Sequence, residues 1–383
     1  MDPGAPTDAT ATAAAVNRFG ADLYDALAAT PSPPPNLVFS PASVAIALSM
    51  VLTGARGSTA EQLAGALHLD EGSPAHASLA VLAAALRRSD DPDVVLAIVN
   101  SLWVQRGFPI EPAFESVLLS GFGTAPETVD FRVDAEAARG RINAWVDTAT
   151  RHRIPELLGA GAVTAETTLT LVNAVYVKAP WLWPFTSTAT APAIFATPAG
   201  NVHVPTMHRV GHLAYARSAD FEAIELPYAG GSISMLIVLP APGLPLSTAV
   251  AALALGRIEG VRTKVSLSVP RFEIETSADL GRLLVAMGIT DAFDAERADF
   301  TGIAVAEPPL FVSGVIHQAN ITVDEPGTEA AAATAVMVAG GAAASQDKPV
   351  EVHVDRPFAF AVREVATGAV LFLGHVNDPT KAG

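Results

Sequence analysis

The feature that most constrains this chain is a change of character near residue 324. From Val315 to Asp324 the residues alternate, with His317, Ala319, Ile321 and Val323 on one face and Gln318, Asn320, Thr322 and Asp324 on the other. That is the two-residue period of a strand. Glu325-Pro326-Gly327-Thr328-Glu329 follows at once, then small residues from Ala330 to Ala335, and no charge appears between Glu329 and Asp347. Composition alone reads the small-residue run as an Ala-rich helix or a linker, because Ala forms helices well and strands poorly. The segments that flank it decide otherwise.

The rest of the 383-residue chain alternates helical and extended signals without any regular strand-helix repeat. Residues 1–12 read as a loose leader. Val16, Phe19, Leu23 and Leu27 then recur at helical spacing and predict a helix over 13–29, stopped by prolines at 31 and 33–35. A second helix is expected over 41–53 with Ser40 as its cap, and a third capped by Ser58, with Glu61 at capping-box spacing. Further helices are expected near 76–88, 134–150 and 278–287. Strands are expected over 94–105, 169–178, 223–228 and 232–239, the last two joined by a turn at Ala229-Gly230-Gly231. Others are expected over 264–275 (with a slip at Pro270), 310–324, 351–354, 358–364 and 369–373. Helices crowd the first third and long strands the remainder. The fold class is therefore α+β, and one domain spans 13–383, with no internal repeat and no separating linker.

Several functions are disfavoured. A net charge of −16 repels phosphate backbones, so nucleic acid is not an expected partner. The basic clusters, Arg87-Arg88 and Arg151-His152-Arg153, read as solvated helix or loop ends. There is no cysteine, hence no disulfide, thiolate site or Cys nucleophile. Half of the residues are hydrophobic, but no apolar run is long enough to span a bilayer. Gly230 to Ser234 lacks the closing Gly of a nucleophile elbow, and Gly159 to Thr164 lacks the third Gly of a dinucleotide loop. His203, His208 and His212 lie close in sequence without the carboxylates of a metal centre. They are expected on an exposed strand or loop. Asn320-Ile321-Thr322 matches a glycosylation acceptor inside a strand, and it is expected to be unused. No enzyme chemistry, cofactor or metal follows from these residues.

Glu325, Gly327, Thr328, Glu329 and the run Ala330, Ala331, Ala332, Ala333 resemble the hinge motif of the serpin family of serine protease inhibitors. Other segments resemble that family in the same order. These are Asn36 to Val44, Leu171 to Lys178, Trp181 to Phe185, Asp355 to Phe360 and Phe372 to Pro379. The likeness runs from about residue 13 to 380. It implies a large central mixed or antiparallel sheet with about nine helices, smaller additional sheets, and an exposed reactive-centre loop over about 325–350. By the same resemblance Ser40, Ser43, Asn173 and His317 form the shutter in the middle of the central sheet. Trp181 marks the breach at its top.

The resemblance also implies the activity: a suicide substrate that traps a serine endopeptidase as an acyl-enzyme while the cleaved loop becomes a new strand. Thr328, Ala330, Ala332, Thr334 and Val336 would then face the core. Counting forward from Glu325 as in the family gives Gly341-Ala342 as the reactive bond; counting back from Glu351 lands nearer Gln346. The window is therefore Gly340 to Gln346. It holds no Arg, Lys or aromatic residue, which points to elastase-like or subtilisin-like targets with small primary pockets. The alternatives are a non-inhibitory serpin, a chaperone or carrier, and a Ser-His-Asp hydrolase. A monomer without a heparin site is expected. The resemblance implies an extracellular setting, although the chain shows no signal-peptide pattern; a cytoplasmic setting is the alternative.

Overall fold

The computed structural model describes residues 8–30, 34–69, 75–86, 94–254, 256, 258–328 and 348–382. Its first helix, α1 (Asp8–Ala28), buries Val16, Phe19, Leu23 and Leu27 as their spacing requires. It begins at Asp8 because Thr12 and Ala13 are already buried, so residues 8–12 belong to the helix rather than to a loose leader. Helix α2 (Pro41–Leu52) is buried along its whole length, as a helix apolar all round must be. Ser40 caps it by accepting the Ser43 N–H, and Pro41 fills the first turn, where its missing N–H costs nothing. Helix α3 (Gly57–Ala66) departs from expectation. Its cap position is Arg56 with no side-chain hydrogen bond, while the Ser58 hydroxyl donates to Asp291 at 2.7 Å instead. Ser58 is therefore not a cap, and the capping box with Glu61 does not form.

Helices α4 (Ala75–Leu86), α5 (Pro112–Val117), α6 (Ala135–Ala149), α7 (Leu246–Ala254) and α8 (Gly281–Ala286) complete eight α-helices among the described residues. The expectation was about nine.

Two sheets carry the architecture. The first has nine strands: β1 (Asn36–Phe39), β5 (Ala191–Thr197), β6 (Gly200–Arg217), β7 (Phe221–Pro227), β8 (Ile233–Pro240), β9 (Val261–Pro270), β13 (Val350–His353), β14 (Phe358–Glu364) and β15 (Val370–Val376). The second, the central mixed sheet, runs β10-β11-β12-β4-β2-β3. Its members are β10 (Phe272–Asp279), β11 (Val312–Val323), β12 (Gly327–Thr328), β4 (Leu169–Pro180), β2 (Val95–Gln105) and β3 (Glu127–Val129). β4 and β11 are parallel neighbours, and β2 and β10 run antiparallel to them. The slip at Pro270 is where the chain crosses from one sheet to the other: β9 ends there and β10 starts at Phe272.

A single large core fills the space between α1, α2, α4 and both sheets. On the opposite face of the mixed sheet, Trp103, Val172, Ala174 and Ile316 pack against Ile142 and Val146 of α6. Both faces of β4 are thus covered, which explains its nearly unbroken buried run.

Candidate functional site

β4 and β11 pair in one register from Gly314 opposite Thr170 to Asn320 opposite Tyr176, and above that level they part. The two-residue strand β12 fills the opening. Gly327 faces Pro180, and Thr328 faces Ala179 on one side and Val323 on the other, antiparallel to both neighbours. The chain reaches this position by a tight return from β11, in which the Asp324 N–H donates to Gly327 O at 3.0 Å. Residue 327 has to be glycine because a Cβ there would lie 2.2 Å from the Ala179 carbonyl oxygen. Thr328 is fully buried and its hydroxyl lies 2.6 Å from that of Tyr228. Burial raises the Tyr228 phenol well above its ordinary pKa, so it stays protonated.

Aromatic side chains build the wall of this opening. Trp181 stacks on Tyr228 with centroids 4.4 Å apart and planes 13° from parallel, and meets Phe185 edge-on at 6.4 Å. Its indole N–H donates to Asp324 O at 2.9 Å and its backbone N–H to Pro326 O at 2.9 Å. Glu325 points inward and is 3% exposed. Its Oε1 accepts from Arg271 Nε at 2.9 Å and Nη2 at 2.5 Å, and from the Thr190 hydroxyl. Burial alone would raise this carboxyl, but Arg271 and Thr190 outweigh it and hold the pKa below the usual carboxylate range. Arg271 is the residue at the crossing between the sheets, so the ion pair ties Glu325 to that crossing. The chain around Trp181 is thus held to residues 324–326 by backbone and indole contacts, while the Glu325 carboxylate reaches Arg271 and Thr190.

The middle of the sheet carries a polar row. Register puts Asn100 of β2, Asn173 of β4 and His317 of β11 side by side. Asn173 Nδ2 donates to Asn100 Oδ1 and to Ser43 Oγ, the latter at 2.6 Å. His317 Nε2 accepts the Ser40 backbone N–H at 3.2 Å, which requires that nitrogen to be unprotonated; Nδ1 then carries the hydrogen and donates to Asn173 Oδ1. His317 is 1% exposed, and burial drops its pKa to about 3, consistent with a neutral ring. Ser40, Ser43, Asn173 and His317 are therefore brought into one network. Ser40 serves the histidine through its backbone, while its hydroxyl caps α2. Asn100 is a fifth member that the sequence reading missed. An Asn at the centre of an otherwise apolar strand face, between Ile98 and Leu102, was the available signal.

The remaining candidates are placed as follows. Glu325, Gly327, Thr328 and Trp181 lie together at the top of the sheet. Glu329, Ala330 to Ala333, Thr334, Val336 and the window Gly340 to Gln346, with Gly341 and Ala342, lie outside the described residues. His203 and His212 are exposed on β6, and His208 lies 3.3 Å from the Ser268 hydroxyl. Among the described residues no three His, Cys, Asp or Glu side chains group as metal ligands. Asn320 sits in mid-strand, paired with Glu275 and Tyr176, and its Oδ1 is buried. In the 151–153 cluster His152 bonds Asp147 at 2.7 Å while Arg153 lies over the Tyr176 ring at 5.6 Å, so the charges diverge. No helix among the described residues is long and apolar enough to cross a membrane.

The same chain is matched from residue 14 to 379 by the family profile described as Serpin (serine protease inhibitor). An uncharacterized serpin-like protein of Thermococcus kodakarensis is 37% identical over 372 residues, covering 95% of this chain and 85% of that one. Leukocyte elastase inhibitor of Sus scrofa is 35% identical over 386 residues, covering 96% and 99%. The crystal structure of Serpin48, a highly specific serpin of the insect Tenebrio molitor, superposes with a TM-score of 0.84 at 29% identity, covering 96% and 98%. Ordered motifs, two-sheet architecture and near full-length similarity agree: this chain belongs to the serpin family.

Proposed function

We propose that this serpin is inhibitory and acts as a suicide substrate for a serine endopeptidase. The observation that carries the reading is the register of β12. Continuing six residues from Thr328 leads to residue 334; counting back six leads from Ala179 to Asn173 and from Val323 to His317. Two independent registers therefore converge, so a strand extended from β12 would place Thr334 between the two residues that now hold the sheet closed. Even-numbered residues from Thr328 onward would share the face of Ala179 and Val323, which belongs to the main core. Those residues are Thr, Ala, Ala, Thr and Val at 328, 330, 332, 334 and 336, small enough to slide between packed strands.

The chemistry is acyl transfer by the target. The protease serine attacks a carbonyl in the bait, the peptide C–N bond breaks, an ester to the serine forms, and the amine side leaves with a proton. Freed at that bond, the hinge side of the loop extends β12 between β4 and β11, carrying the acylated protease with it. A strand of ~10 residues gains roughly one ladder hydrogen bond per residue at ~1 kcal/mol net each, enough to make insertion one-way.

Small residues at Gly340 to Gln346 support elastase-like or subtilisin-like targets. The test is incubation with pancreatic elastase or subtilisin followed by SDS electrophoresis. A covalent complex resistant to SDS is expected, and cleavage without complex would refute inhibition in favour of substrate behaviour. Thr328→Arg should be cleaved without forming complex, because the position is fully buried and an unpaired guanidinium there is strongly disfavoured.

A further inference from the structure

Away from the gap in the mixed sheet, a crevice of about 530 Å³ opens between the end of α1, the β5–β6 turn, the start of α7 and the C-terminal tail. Its walls include Tyr24 and Ala28, Pro198, Leu246, His375 and Lys381. That volume falls within the range of about 300–1,000 Å³ typical of small-molecule sites. The walls are set by the fold rather than by loose side chains. Asn36 clamps the tail, donating to Asp378 O at 2.8 Å and Lys381 O at 2.7 Å, and accepting the Asn377 and Asp378 N–H groups at 2.9 and 3.0 Å.

One polar pair lies in this mostly apolar lining. The Tyr24 hydroxyl is 2.9 Å from His375 Nδ1, and both residues are buried, at 3% and 5% exposure. A phenol is the stronger acid and a neutral imidazole nitrogen the stronger acceptor, so Tyr24 donates and the ring hydrogen sits on Nε2. Burial keeps the imidazole neutral, with its pKa lowered to about 4. Nε2 makes no hydrogen bond with any described residue. His375 lines the crevice, so this N–H is available to a hydrogen-bond acceptor bound there. Lys381 adds an exposed positive charge at the rim, while the nearby Asp378 carboxylate is engaged by Thr380 N at 3.0 Å and Oγ1 at 2.6 Å.

We propose that this crevice binds a small amphiphile, an apolar body with a single carboxylate that accepts from His375 Nε2 and faces Lys381. The site is independent of the inhibitory reading, and neither stands or falls with the other. It is tested with the full chain and a dansyl-labelled undecanoic acid as fluorescent probe, competed by dodecanoic acid and by dodecanol. One saturable probe site per chain is expected, displaced roughly tenfold better by the acid than by the alcohol, a difference of about 1.4 kcal/mol. Lys381→Gln should shrink that preference. Ala199→Trp, at an exposed position on the wall, should weaken the probe roughly tenfold by filling the crevice, with thermal stability unchanged. Absence of saturable binding, or equal affinity in the Ala199→Trp protein, would overturn the site. Equal displacement by acid and alcohol would overturn the carboxylate assignment.

Discussion

Protonation of His317 should open the polar row, and the structure sets how much that costs. In the folded chain the ring titrates at about 3, whereas an exposed histidine titrates near 6.5. The folded pKa is depressed, so the neutral ring stabilises the fold fully above pH 6.5 and that contribution is lost as pH falls toward 3. At about pH 4.5 the unfolded ring is protonated and the folded ring is not, a loss of about 3 kcal/mol relative to neutral pH. His375, lowered to about 4, adds a similar loss. A variant isolates the first contribution. His317→Gln keeps one donor for Asn173 Oδ1 and one acceptor for the Ser40 N–H but cannot take up a proton. Urea midpoints of the uncleaved protein should fall more steeply with acid in the wild type than in the variant, by about 3 kcal/mol between pH 7 and 4.5. His375 is common to both proteins and cancels. Parallel acid profiles would refute the assignment of a buried, neutral His317.

Three further outcomes follow from the top and middle of the sheet. Gly327→Ala should displace β12, since its Cβ cannot sit 2.2 Å from Ala179 O; a cost of about 1–3 kcal/mol is expected, with a change in Trp181 fluorescence as the stacked ring loses its backbone contacts. Glu325→Gln removes the charge from the Arg271 contact and should lower stability by about 1–3 kcal/mol at pH 7. That difference should narrow as acid protonates the wild-type carboxyl, read from denaturation midpoints. Asn100→Leu conserves volume but deletes one acceptor of Asn173, so about 1–3 kcal/mol should be lost, whereas Asn100→Asp retains an acceptor and should recover part of it.

The sequence carried the helical and buried-strand parts of this fold well, because burial imposes period and composition together. The helix over 41–53, the strand over 169–178 and the alternation through 315–323 all lie within a residue or two of what forms. The longest strand among the described residues, β6, was read only as an exposed strand or loop around its three histidines. Only Val204, Met207 and Leu213 of its residues are buried, and Pro205, Gly211 and three histidines interrupt it, so no alternation survives to be read. It forms because β5, β7 and β9 hydrogen-bond along it, a non-local cause. The four polar residues of the central row were reached by resemblance rather than by pattern. Ser40, Ser43, Asn173 and His317 come from three distant segments: strand register aligns Asn173 with His317, and packing of the start of α2 against the sheet adds the two serines. Asn100, Tyr228 and Arg271 went unnoticed for the same reason: each gains its meaning from a partner more than fifty residues away.

The two residues of β12 also bear on timing. Starting a strand between two others is the slow part, because chain entropy is lost before contacts repay it; lengthening one already started is comparatively fast. With Gly327 and Thr328 seated, that first cost has been met before any protease arrives. On the inhibitory reading the acyl-enzyme faces a race between hydrolysis and zippering, and the foothold gives zippering a head start. Whether the protein inhibits or is merely digested would then depend on how firmly Tyr228 holds Thr328 as much as on the identity of the bait.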